Sequence, residues 1–98
     1  MKFDLYEQAT KNMALKSRAL VFLLMKGWDS SSLQKVKVSE VRKDLEEFSI
    51  PLEAVFKSGD EVAFAYPSKR PWPISRIVEV AETACRNAGV ESIDHLRG

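Results

Sequence analysis

The chain has 98 residues, 45% of them hydrophobic and 30% charged, and a net charge of +1. That length suits one core rather than two, and the composition excludes a disordered tract. The near-neutral balance is weak for a protein that grips duplex nucleic acid by charge alone.

One domain is expected to span residues 1–98, with the polar tail 91–98 either fraying or adding a last helical turn through Ile93 and Leu96. Cys85 is the only cysteine, so neither an intrachain disulfide nor a cysteine metal cluster can form. Lys2, Asp4 and Glu7 have no apolar stretch behind them, so no secretory leader is expected. The longest apolar run, Ala19–Met25, is seven residues, against roughly 20 for a membrane span. A cytoplasmic protein with no membrane partner is the expectation.

Residues 1–26 hold no Gly or Pro, and Phe3, Tyr6, Met13, Leu20 and Leu24 form one helical stripe. This predicts a long N-terminal helix. Lys16-Ser17-Arg18 interrupts the stripe, and an unbroken 23-residue helix of roughly 35 Å would overhang a domain this small. Either the helix breaks near Asn12–Ser17, or its end packs on a second copy; monomer and homodimer are both carried forward. Gly27 suits a left-handed C-terminal cap, with Trp28 folding back on Leu23.

Ser30–Ser32 can start a helical turn through Val36, while Lys35–Val38 alternates like a strand; the pattern does not separate the two. Val38, Val41, Leu45 and Phe48 step by three, four and three, predicting a second helix over Ser39–Phe48, with Ser39 as N-cap and Pro51 beyond its end. Leu52, Ala54 and Phe56, then Val62, Phe64 and Tyr66, alternate around Ser58-Gly59-Asp60. This predicts an antiparallel β-hairpin over 52–66. Pro67-Ser68-Lys69-Arg70-Pro71-Trp72-Pro73 breaks regular structure. Ile74, Ile77, Val78, Ala81, Cys85 and Ala88 give a C-terminal helix capped by Gly89. The expected class is α+β, in an order compatible with a winged helix.

Motifs for catalysis are missing. There is no Gly-rich phosphate loop and no nucleophile elbow. His95 is the only histidine, and its one candidate partner, Cys85, falls on an apolar helix face where a cysteine is usually an inert hydrophobe. No paired metal-ligand spacing occurs. No enzyme activity, cofactor or metal is expected.

Charge is uneven along the chain. Lys11 to Lys43 holds eight basic residues against Asp29 and Glu40, whereas Asp44 to Tyr66 holds six acids against Lys57. The stiff loop adds Lys69, Arg70 and Trp72, residue types that anchor interfaces or grip a phosphate backbone. Trp72 can serve either as that anchor or as a lid on the core. The leading expectation is a protein-binding adaptor, inhibitor or regulatory subunit that uses this loop and a bipolar surface. The alternative is a winged-helix-like nucleic-acid binder with Ser39–Phe48 as reading helix, the 52–66 hairpin as wing, and contacts from Arg42, Lys43, Lys57, Lys69 and Arg70. Asp44, Glu46 and Glu47, on that same helix, count against it.

Overall fold

Seven apolar residues in a row cover every face of a helix, so a helix containing them must be surrounded. In this computed structural model, which describes residues 3–47, 52–57 and 59–97, the Leu15–Lys26 helix is enclosed in this way: Ala19 through Met25 are all buried. The described elements are α1 (Phe3–Ala9), α2 (Leu15–Lys26), α3 (Ser30–Leu33), α4 (Val38–Leu45), α5 (Leu52–Val55), α6 (Ile74–Ala88) and α7 (Ile93–Arg97). Helices α4, α5, α6 and α7 pack on α2, and α6 also carries α1 and α3. A single cluster of buried side chains joins them. No helix among the described residues is long and apolar enough to cross a membrane.

The N-terminal apolar pattern divides between α1 and α2. The chain turns over Thr10–Ala14, where Asn12 takes a left-handed conformation, φ 64°. Asparagine tolerates that region better than most residues. Thr10 is buried, and its hydroxyl donates to the Tyr6 carbonyl oxygen at 2.8 Å, closing the end of α1. Tyr6 packs edge-on to Phe22 at 6.0 Å, and Asn87 Nδ2 donates to the Ala9 carbonyl oxygen at 3.0 Å, so the first helix folds back on α2 and α6. The side chain of Phe3 lies outside the described residues.

Both glycine caps form. Gly27 has φ 116°, and the Trp28 and Gly27 amides donate to Leu23 and Leu24 at the end of α2. Gly89 has φ 70°, and the Val90 amide donates to Cys85. Pro73 stands just before α6, where its fixed φ suits a helix start. Arg97 closes the opposite side: Nε donates to the Leu24 carbonyl oxygen at 2.7 Å, Nη2 to that of Trp28 at 2.9 Å, and Nη1 pairs with Asp94. One guanidinium thus ties α7 to carbonyls at and just beyond the C-terminal end of α2.

The α+β class is corrected. The chain is mostly helical, and no β-sheet or hairpin forms among the described residues. Residues 52–55 are helical, with the Phe56 amide donating to the Leu52 carbonyl oxygen at 2.8 Å. The reason is a period that fits twice. Leu52, Ala54 and Phe56 alternate like a strand, but Leu52, Val55 and Phe56 also lie one helical turn apart, and it is these that turn inward while Glu53 and Ala54 stay exposed. Leu, Glu and Ala also favour helix. Residues 61–66 bend at Ala63–Phe64 and make only isolated antiparallel bridges, Lys37 to Val62 and Ala65 to Pro71. Ala63 and Phe64 are consecutive and both buried, which a two-faced strand does not allow. Without the wing, the winged-helix-like order falls too.

The second helix begins at Val38, with Lys37 rather than Ser39 in the cap position. It is described as far as Leu45; Phe48, Ile50, Pro51 and Ser58 lie outside the described residues. Of the two alternatives for this segment, the helical turn started by the serines forms as α3 but ends at Leu33, short of Val36, and no strand follows it. Lys35 sits at φ 63°, and Lys37 makes its single bridge.

Candidate functional site: a lysine-rimmed groove

Trp72 belongs to the core. It is 6% exposed, its amide donates to the Phe64 carbonyl oxygen at 2.9 Å, and its ring centroid lies 5.7 Å from Phe64 and 6.4 Å from Tyr66. The Arg76 guanidinium lies over its outer face at 5.2 Å, a cation–π contact. Of the two roles considered for Trp72, burial favours the lid and leaves little ring for a partner.

The basic residues around it stand differently. Tyr66–Lys69 is a tight turn closed by a 2.7 Å bond from the Lys69 amide to the Tyr66 carbonyl oxygen, and the Tyr66 amide donates to Arg70 at 2.9 Å. The turn places Lys69 at φ 70° and leaves Lys69 and Arg70 exposed. A left-handed backbone costs a non-glycine residue roughly 1 kcal/mol. Lys57, also exposed, follows α5; its amide donates to Asp60 Oδ2 at 2.9 Å, holding a second turn beside Gly59. Lys16, in the first turn of α2, donates from Nζ to the Ala65 carbonyl oxygen at 3.2 Å.

These three lysines, from three separate segments, rim one groove of about 410 Å³. Val62, Ala65, Tyr66 and Pro67 line it, together with Asp60 and Glu61. Tyr66 is half-buried, with its ring against Trp72 beneath. The groove can take an extended or flat group carrying negative charge.

Of the residues singled out from sequence, Lys57 and Lys69 come together here, and Arg70 follows directly in the turn. Arg42 and Lys43 do not line the groove; they lie exposed on α4. Two of the acids near them are engaged with α2 and its cap: Asp44 Oδ2 accepts from Trp28 Nε1 at 2.8 Å, and Glu47 pairs with Lys26 at 2.7 Å. The hydrogen bond to Glu47 raises the Lys26 pKa. Charges segregated along the chain are thus interleaved in space.

Sequence reasoning passed over Lys16 and Tyr66. Lys16 did leave a signal. The first turn of α2 carries Lys16 and Arg18 and no acid, which opposes the helix dipole. Both cations instead reach carbonyls outside the helix, Ala65 for Lys16 and Met13 for Arg18. Tyr66 reads as core because it continues the Val62–Phe64 alternation.

Burial, with Glu82 nearby, pushes the Cys85 thiol above its ordinary pKa, away from the reactive thiolate. His95 Nδ1 lies 3.0 Å from Ser92 Oγ, on the exposed side of α7. Among the described residues no group of three or more His, Cys, Asp or Glu could hold a metal ion. Comparison of the chain with protein-family models, curated proteins and solved structures finds no match.

Proposed function

We propose that the chain is a non-catalytic protein-binding module that holds an acidic segment of its partner in the lysine-rimmed groove. The supporting observation is the convergence of Lys16, Lys57 and Lys69 on one groove about 410 Å³ in volume. Lysines are brought together from α2, the end of α5 and the Tyr66–Lys69 turn, and against Asp60 and Glu61 they leave the lining with one positive charge in excess. Asp60 is partly engaged by the Lys57 amide, which reduces its opposition to an incoming carboxylate. The raised Cys85 pKa and the His95–Ser92 contact favour binding over nucleophilic chemistry.

Tyr66 supports a second reading. An aromatic ring among lysines can stack on a base while the lysines meet phosphates, as in single-strand binders. Asp60 and Glu61 oppose a phosphate backbone as they oppose a carboxylate, so they do not separate the two readings. The two readings part in one experiment. Amide chemical shifts are followed while an acidic peptide, and separately an oligo-dT strand, is added. The peptide is expected to move the amides of Lys16, Lys57 and Tyr66–Lys69. Perturbation by oligo-dT alone favours nucleic acid, and perturbation centred elsewhere removes the groove from the account.

A further inference from the structure

Val62 has one main-chain edge filled and the other open. The Val38 amide donates to the Glu61 carbonyl oxygen, and the Ala63 amide to that of Val36, both at 2.8 Å. These two bonds frame the antiparallel bridge between Lys37 and Val62. In that register the bridged residues form a non-hydrogen-bonded pair, so the N–H and C=O of Val62 turn away from Lys37. Neither group has a hydrogen-bond partner among the described residues. Val62 is only partly buried, and it lines the lysine-rimmed groove. A main-chain donor and acceptor side by side on an open edge are what a further strand pairs with.

The open edge is short. The chain bends at Ala63–Phe64, and beyond the bend the main chain is engaged. The Phe64 carbonyl oxygen accepts from the Trp72 amide, the Tyr66 amide donates to Arg70, and the Ala65 carbonyl oxygen accepts from Lys16 Nζ. Pairing at Val62 therefore supplies two bonds, and side chains must select the occupant. The groove divides in charge about Val62. Lys57, Asp60 and Glu61 precede it, with one acid in excess, whereas Lys16 and Lys69 stand at the Ala65–Lys69 end with no acid in the lining there. A segment paired with Val62 meets two cations on that side.

Resting on the reading of the groove as an acidic-peptide site, we infer that the partner's acidic segment binds as an added β-strand. Its main chain pairs with the N–H and C=O of Val62, and its acidic side chains lie towards Lys16 and Lys69. Main-chain bonds hold the segment in register, and the lysines choose its charge.

Amide hydrogen exchange of the protein, alone and saturated with an acidic peptide, tests the pairing. The Ala63 amide, already bonded to Val36, is the internal reference for general stabilisation. Exchange at Val62 is expected to slow at least about tenfold more than at Ala63. The peptide is then N-methylated at one position at a time. Affinity is expected to fall, by up to about tenfold, at the position that donates to Val62 and to change little at its two neighbours, whose amides point the other way. Val62→Pro removes a donor that bonds nothing within the chain, and is expected to stay folded by circular dichroism yet bind about tenfold more weakly. Should that variant unfold, exchange and the methylated peptides decide. A peptide that shifts the groove amides but leaves Val62 exchange unchanged, or that tolerates N-methylation at every position, overturns the added strand and leaves the groove standing. A peptide that does not bind at all removes the groove and the strand together.

Discussion

The Lys16 ammonium donates to the Ala65 carbonyl oxygen at 3.2 Å, across 49 positions of sequence. This bond ties the first turn of the central helix to the Val62–Pro67 segment that lines the groove. It also places a cation at a helix N-terminus, where the dipole disfavours one. Both the fold and the proposed site depend on it, so Lys16→Met is expected to lower stability by about 1 kcal/mol, the usual net worth of such a bond. Acidic-peptide binding is expected to fall in the same variant. Thermal melts and a peptide titration check the two effects separately.

Lys69 offers a sharper separation of stability from function. Its φ of 70° suits glycine, and Lys69→Gly is expected to raise stability by up to about 1 kcal/mol while weakening acidic-peptide binding. Urea melts read the first quantity and a titration the second. A variant that is both more stable and fully competent to bind removes Lys69 from the site.

Trp72→Ala is expected to destabilise the protein by about 3–5 kcal/mol, the range for truncating a buried aromatic. Trp72→Phe keeps the contact with Phe64 and is expected to cost less. A melting temperature within a few degrees of wild type for Trp72→Ala would return the residue to the surface role considered from sequence.

The caps, the central helix and the divided N-terminal pattern were legible because each depends on local chemistry: Gly27 and Gly89 at positive φ, Pro73 before α6, and seven apolar residues with no polar face. The 52–66 segment was not. Leu52-Glu53-Ala54-Val55-Phe56 satisfies both periods, and what decides between them is which neighbours bury Val55 and Phe56, a tertiary fact. The groove was half legible. Lys57 and Lys69 were marked by charge and turn chemistry, but Lys16 reaches them only because the start of α2 lies beside Ala65. Trp72 was ambiguous since Pro-Trp-Pro suits a lid and an anchor equally; the rings of Phe64 and Tyr66 settle its position.

Alkaline pH should weaken the fold through Tyr6. Burial pushes its phenol up to about 12 from an ordinary 10.0, with the Arg18 charge opposing the shift. The folded state keeps the proton longer than the unfolded chain does. The stabilisation is therefore full below pH 10 and is lost as pH rises towards 12, by at most about 1.4 kcal/mol per unit. Tyr6→Phe is expected to flatten that part of the pH–stability curve. An unchanged slope assigns the alkaline loss to other groups.

The most direct test of the central claim is a fluorescence-anisotropy titration of a labelled acidic peptide, with labelled oligo-dT in parallel, at about 50 and 200 mM salt, where screening lengths differ about twofold. The protein and its Lys57→Glu/Lys69→Glu variant are compared. The account predicts that the peptide binds in the micromolar range, that binding weakens with salt, and that the double reversal lowers affinity at least about tenfold. Peptide binding unaffected by the reversal, or no peptide binding at the lower salt, would contradict it.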